Sequence, residues 1–457
     1  MLRAMPQDPS HHAGARQIVE HALDLKPGQQ LLILLDETTV EPATAIAEAA
    51  ESLGVSTTAI LVPIAVQRRI PRETDLSFPA QRVAREARAI LTCVNAMPDC
   101  LAFRQRILET HWTAHTKIGH MPGATLDALA LADVDVAQLV DDCAFVEIVL
   151  ARGTTVELTS YTAAGVPHVL TADIGGWERL PVASDGLIAD GVWGNVPSGE
   201  TYIAPIEGTA GGSFVVNGSL PGHVVAPGDE IVLHFKWGRL ARIEPENSSA
   251  AAWLRDTQIS RAQAAGDLNW SNLAEIGIGL NPAARQLTGN MLVDEKAAGT
   301  AHIALGSNTF MGGTVKAAIH CDAVTRAPTI RVDDKLVVDR GRLVRDEAAW
   351  LEHFGQVSLE SSPMRTASRI ARSGVQAHHT RDSRLQRVLR SEPGRVSACS
   401  VGNAATAGLA DRLYRHLPDS GDPVPLPDLA RQAGIDTGVA RKVLHVMWEY
   451  DLVKSLP

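Results

Sequence analysis

The sequence predicts a chain of unlike parts: an α/β N-terminal domain with a parallel sheet, an α+β middle domain rich in antiparallel strands, and a helical, winged-helix-like C-terminal domain. Three observations predict it. Apolar runs alternate with helically spaced ones over the first ~120 residues, short β-like runs broken by Gly and Pro follow from about Phe145, and three helical stretches close the chain after an Arg-rich segment. The expected boundaries are 1–140, 141–345, 346–400 for the Arg-rich connection and 401–457 for the three helices.

In the first part, Leu31–Leu35 is a short, fully apolar run of the kind a strand buried on both faces requires. Ala43–Leu53 has helical spacing and is stopped by Gly54, and Ser56–Val62 is rich in β-branched residues. Ala84–Ala89 reads as helix and Ala89–Val94 as another buried strand, so the order β-α-β with short connections predicts a parallel sheet. No GxGxxG follows the first strand, which leaves a dinucleotide site unsupported.

The middle part is expected to hold strands at Val146–Val149, Thr154–Leu158, His168–Leu170, Ser213–Val216 and Glu230–His234, with helices at Ser248–Ala265 and Asp294–Leu305. Val315–Ile319 reads as a strand leading into His320-Cys321-Asp322. Alternation would then point His320 and Asp322 to one face and Cys321 to the other. Asp333 and Asp334 fit a hairpin turn without a chemical role. The segment Glu207–Gly212 reads more simply as a hairpin connection than as a loop over a site.

At the C-terminal end, Arg365, Arg369, Arg372, Arg381, Arg384, Arg387, Arg390 and Arg395 face only Asp382 and Glu392, a basic stretch in a chain of net charge −10. Ala405–Leu417, Leu426–Ala433 and Thr437–Tyr450 read as three helices whose spacing resembles a helix-turn-helix unit, a module that associates with partners as readily as it reads DNA.

Composition excludes some functions. Charged residues at 21% and apolar residues at 45% fit a globular protein, and the acidic balance argues against general nucleic-acid or anionic-membrane binding. Five cysteines without a CxxC pair indicate neither a disulfide framework nor a zinc knuckle. No run approaches the ~20 apolar residues of a membrane span. These features predict a cytoplasmic protein.

Chemistry concentrates in five potential metal ligands, Glu200, Glu275, His302, His320 and Asp322. Taken singly, a buried His is usually a hydrogen-bonded core residue and a Glu is usually solvated. Glu200 and Glu275, however, stand in apolar, Gly/Pro-rich blocks where an uncompensated charge is costly. Together, carboxylates and imidazoles form a donor set for a hard-to-borderline divalent ion.

The blocks carrying these residues add a resemblance. Asn195-Val196-Pro197-Ser198-Gly199-Glu200 through Ala204-Pro205 resembles the NxPxGExxxAP block of the aminopeptidase T family of metallopeptidases and its relatives. Glu275-Ile276-Gly277-Ile278-Gly279-Leu280-Asn281-Pro282 is similar to that family's ELGxGxNP block, Asp294-Glu295 through His302 to its DExxxxxxHxAxG block, and His320-Cys321-Asp322 to its HxD block. The resemblance covers about Leu23 to Leu343. It implies a site holding one or two divalent ions (Zn, Co or Mn) on those five ligands, and a homodimer. It also implies a hydrolase cleaving an amide or related bond in a small molecule or short peptide by metal-activated water, with Glu200 or Glu275 relaying protons. Glu295 is a further candidate for a supporting or base role, two helical turns before His302.

One departure bears on activity. Where the peptidases carry a Tyr seven residues after the third-block His, this chain has Thr309, whose hydroxyl is less acidic and shorter in reach than a phenol. The alternative is a relative that the same blocks resemble, the 2,5-dihydroxypyridine dioxygenases, which cleave an aromatic ring with non-haem Fe(II). A third expectation is a regulator or scaffold without turnover that uses the C-terminal unit to bind DNA or a partner.

Overall fold

The computed structural model describes residues 9–69, 86–97, 116–175, 181–191 and 193–346, with short stretches at 100, 103–104, 107, 179, 350, 384–387, 424–425, 431–432 and 453–456. The first sheet is parallel throughout, with the order β2-β1-β3-β4-β8. It is made of β1 (Gln30–Leu35), β2 (Ser56–Leu61), β3 (Ala89–Cys93), β4 (Lys117–His120) and β8 (Trp193–Asn195). Its central strands are apolar because both faces are covered. Leu31 and Ile33 join one cluster with Ile18, Ile46 and Ala49, while Leu32 and Leu34 join another with Ile90 and Phe103. The expected helix after β1 spans Val40–Ser52, and Gly54, at φ +74°, supplies the left-handed conformation that ends it.

Asp36, immediately beyond β1, is fully buried and ties the ends of the parallel strands together. Its carboxylate accepts from the Thr38 backbone N–H at 2.9 Å, the Gln67 amide at 3.0 Å and the Asn95 backbone N–H at 2.6 Å. These bonds outweigh the opposing effect of burial and hold its carboxyl below the usual range.

Two antiparallel sheets follow. One has the order β14-β13-β10-β6-β5-β18-β19-β20. Its strands are β5 (Thr155–Tyr161), β6 (Pro167–Asp173), β10 (Gly211–Val216), β13 (Ile231–Lys236), β14 (Arg239–Glu244), β18 (Thr329–Val332), β19 (Lys335–Asp339) and β20 (Arg342–Leu343). The other has the order β12-β11-β17-β16-β15-β9-β7. It contains β7 (Val182–Ser184), β9 (Glu200–Ile203), β11 (Ser219–Leu220), β12 (His223–Val224), β15 (Leu273–Gly279), β16 (Thr300–Gly306) and β17 (His320–Arg326). Leu158, Leu170, Phe214 and Leu233 of the first and Ile276, Ile278, Ile303 and Cys321 of the second belong to one continuous core, so one face of each sheet is committed to packing.

Three expectations are corrected. Val146–Val149 lies inside the helix Val136–Arg152, whose start is capped by Asp135 accepting from the Gln138 N–H at 3.1 Å. A short apolar run does not by itself distinguish a buried helix from a buried strand. Asp294–Leu305 is not a helix: only Met291–Asp294 is helical, Gly299 turns the chain at φ +88°, and Thr300–Gly306 is a fully buried strand. Val315–Ile319 belongs to the connection before β17, which begins at His320.

Other expectations hold. Ser249–Ala264 is helical in consecutive segments, and Asp333 and Asp334 adopt positive φ in the turn between β18 and β19. Asp333 also accepts from the backbone N–H groups of Thr154 and Thr155, each at 2.9 Å. The expected helix Ala84–Ala89 is not formed over its second half, where Ala87 and Arg88 are irregular and Ala89 opens β3; its residues 84 and 85 lie outside the described residues. So do the helices Ala405–Leu417 and Thr437–Tyr450, most of Leu426–Ala433 and nearly all of the Arg-rich connection. The structure does describe a small sheet there, in the order β22-β21-β23, from β21 (Arg384–Arg387), β22 (Val424–Pro425) and β23 (Val453–Leu456). No helix among the described residues is long and apolar enough to cross a membrane.

Candidate metal centre

The five residues singled out as ligands fall on one face of the sheet that carries β9, β15, β16 and β17. Antiparallel register places Glu200 beside Gly279, Gly277 beside His302, Glu275 and Asp322 on either side of Ala304, and His320 beside Gly306. Paired residues share a face, and a period of two keeps Glu275, Gly277 and Gly279 together along β15. Each large polar side chain is thus flanked by glycine or alanine, which leaves room above the sheet. The alternate residues Ile276, Ile278, Ile303 and Cys321 enter the core, so the reading that splits His320 and Asp322 from Cys321 matches the strand.

Two donor groupings share Glu275. Its Oε2 lies 3.1 Å from His320 Nε2, which is 3.4 Å from Asp322 Oδ1. Its Oε1 lies 3.0 Å from His302 Nε2, which is 3.7 Å from Glu200 Oε2. One donor atom each from Glu275, His320 and Asp322 lies within 4.8 Å of the other two. The His320 Nδ1 is 2.8 Å from the Ser307 carbonyl, so it donates there and turns Nε2 toward the carboxylates. The side chains of His302, Glu200 and Glu275 are almost wholly buried, whereas that of His320 is 23% exposed and marks the open edge.

The electrostatics follow from this packing. Burial pushes the Glu275 carboxyl up, but hydrogen bonds from His302 and His320 outweigh it and hold the group below the usual carboxylate range. Burial likewise disfavours charge on the two imidazoles. The adjacent carboxylates overcome this and raise both above the ordinary imidazole value, Glu275 foremost for His302 and Asp322 foremost for His320. Glu295 is raised chiefly by burial, opposed by Lys296 and reinforced by Glu200 and Asp322.

Glu295 therefore stands beside the centre, although not on a helix shared with His302. Thr309 stands apart, exposed, with its hydroxyl 3.4 Å from that of Ser307. Sequence reasoning missed Lys296, which is fully buried with its ammonium 3.0 Å from Glu200 Oε1 and paired to Glu295. It also missed Asn281, whose amide donates to the carbonyls of Leu131 at 2.8 Å and Ser198 at 2.6 Å, just before Glu200. The NP step of the second block was the available signal for Asn281.

The residues present fit a divalent ion. The donors are nitrogen and oxygen atoms close enough to reach one first-row ion at ~2.0–2.2 Å after small side-chain movements. Glu200 Oε2, 3.7 Å from His302 Nε2, is buried without a hydrogen-bond partner. The tight group carries one imidazole and two carboxylates, with the second imidazole, His302, against the other oxygen of Glu275.

Among solved structures, the chain is similar to 2,5-dihydroxypyridine dioxygenase from Pseudomonas putida KT2440, with 22% identity and a TM-score of 0.54 over 74% of this chain and 98% of that one. It is also similar to wild-type AmpT from Thermus thermophilus, with 16% identity and a TM-score of 0.49 over 74% of this chain and 99% of that one. No curated protein sequence matches it. The family model for NicX, 2,5-dihydroxypyridine 5,6-dioxygenase, matches residues 17–345, which include the parallel sheet and every candidate ligand, and the chain belongs to that family.

Proposed function

We propose that this protein is a non-haem iron dioxygenase that opens a dihydroxylated aromatic ring of the 2,5-dihydroxypyridine kind. The observation that carries the reading is the family match over 17–345, read together with the group Glu275, His320 and Asp322. This reverses the order in which the sequence blocks alone placed hydrolysis and oxygenation. An Fe(II) held by those three residues would supply the redox chemistry with O₂ that the protein's own side chains lack, and three donors leave positions open for a chelating substrate.

The remaining residues arrange and enclose. Ser307 fixes the ring of His320 through Nδ1, and His302 holds a proton between its Nε2 and Glu275 Oε1. The buried face formed by Glu200, Glu275 and His302 excludes water on the inner side, so a ring substrate would approach past the partly exposed His320. His302 is the group best placed to take or return a proton at that face.

A second reading, a metallohydrolase of the aminopeptidase T type, is favoured by one feature: carboxylates outnumber imidazoles, and Glu275 offers one oxygen to each donor grouping. Elemental analysis and an oxygen electrode separate the two. The dioxygenase reading expects iron in protein purified without added metal, and O₂ uptake with loss of the substrate chromophore on adding 2,5-dihydroxypyridine. An iron-loaded protein that consumes no O₂ with any dihydroxylated ring, yet releases amino acids from short peptides when loaded with zinc, cobalt or manganese, would reverse the assignment.

A further inference from the structure

Lys296 has no part in either functional reading, yet it is a fixed cation beside the centre. Its side chain is fully buried, and its ammonium contacts Glu200 Oε1 at 3.0 Å and Glu295. A buried ammonium persists only when paired, and carboxylates on two separate segments, β9 and the residue before Lys296 itself, hold this one.

Its position divides the centre electrically. An ion bound by Glu275 Oε2, His320 and Asp322 meets two carboxylates, matching the charge of one dication. An ion on the other grouping would depend on His302, the remaining oxygen of Glu275, and Glu200. One oxygen of Glu200 is already engaged by the ammonium of Lys296. A second dication would therefore have to compete with a fixed ammonium for that carboxylate in a site that excludes water.

We propose that Lys296 takes the place of a second metal ion, occupying Glu200 and limiting the protein to one divalent cation on Glu275, His320 and Asp322. Lys296 is thus a positioning residue: it acts through Glu200 and touches neither ion nor substrate. The proposal rests on the reading of this cluster as a metal centre.

The test is metal stoichiometry. Metal-free wild-type protein and the Lys296→Met and Glu200→Gln variants are titrated with Co(II), followed by visible absorption and by elemental analysis after dialysis. Wild type is expected to saturate at about one equivalent and Lys296→Met at about two, with a changed Co(II) spectrum, because an unpaired Glu200 becomes a ligand. Glu200→Gln is expected to keep the first equivalent with affinity within about tenfold of wild type, since Glu200 is not among that ion's donors. A wild type that takes two equivalents, or a folded Lys296→Met that stops at one with an unchanged spectrum, overturns the proposal. Should Lys296→Met fail to fold, Glu200→Gln decides: loss of the first equivalent makes Glu200 its ligand and refutes the assignment. A wild type that binds no Co(II), Fe(II) or Zn(II) at all removes the metal centre itself, a failure distinguishable from that of Lys296.

Discussion

Gly277 lies directly across from His302 in the β15–β16 ladder, and a Cβ placed on it would come within 2.1 Å of the imidazole Nε2. Glycine in a strand interior weakens the strand unless something needs the space, and here the imidazole fills it. Gly277→Ala is expected to cost about 1–3 kcal/mol by overpacking, to push His302 off Glu275, and to alter the spectrum of Co(II)-loaded protein. Chemical denaturation alongside the Co(II) spectrum checks both effects. An unchanged spectrum would separate His302 from the centre.

His320 and Asp322 are the exposed-side donors. His320→Ala or Asp322→Asn is expected to lower metal affinity by more than the ~10–100-fold that loss of an outer partner costs, while leaving the fold largely intact because both side chains lie off the core face. Isothermal titration with Fe(II) under anaerobic conditions, with circular dichroism as the folding control, measures it. Bound iron equal to wild type in His320→Ala would place the metal elsewhere.

The pH dependence of the metal-free protein has two limbs. Glu275 is held below its ordinary value, so its contribution to stability is present above the unfolded carboxylate value of ~4.3 and is lost as pH falls through the folded one. His302 and His320 are held above theirs, so their contribution is complete below the unfolded imidazole value of ~6.5 and is lost as pH rises through the folded ones. Melting temperature against pH should therefore show a plateau bounded on both sides. Metal binding, which displaces the imidazole protons, should flatten the alkaline limb. A metal-free profile that keeps rising beyond pH 9 would contradict these pairings.

Asp36 tests the other lobe. Replacing it by Ala leaves the Thr38, Gln67 and Asn95 donors without their shared acceptor in a buried place and is expected to cost on the order of 2–4 kcal/mol. Metal stoichiometry should not change. Because its carboxyl is held low, the wild-type advantage over Asp36→Ala should exist above the unfolded value of ~3.9 and fade in acid. Equal denaturation midpoints at neutral pH would show the network to be without consequence.

Much of this arrangement was legible because period and composition agree. The apolar run Leu31–Leu35 could be placed inside a parallel sheet, and the alternation in His320-Cys321-Asp322 gave the correct faces, since both follow from strand geometry alone. The block Thr300–Gly306 was misread because a strand buried on both faces has no alternation, and the acidic pair before it imitates a helix start. Lys296 was illegible for a different reason. A lysine between Glu295 and Ala297 reads as solvated, and only the pairing of β9 with β15 brings Glu200 within reach of it. Sequence provides the number of ligands, which favours hydrolysis, but not their spatial grouping, which pairs them on separate oxygens of Glu275.

The chain leaves the parallel sheet at Asn195 and enters the antiparallel one at Glu200 after only four residues, with Asn281 bonded to the carbonyl of Ser198 in that short link. Glu275, His302, His320 and Asp322 all ride on one sheet and keep their spacing through shared ladders. Glu200 sits at the head of that link, the first ligand candidate after the crossing. Shear between the lobes would thus be felt at this carboxylate, making its distance to His302 a gauge of how the two halves of this molecule are set against each other.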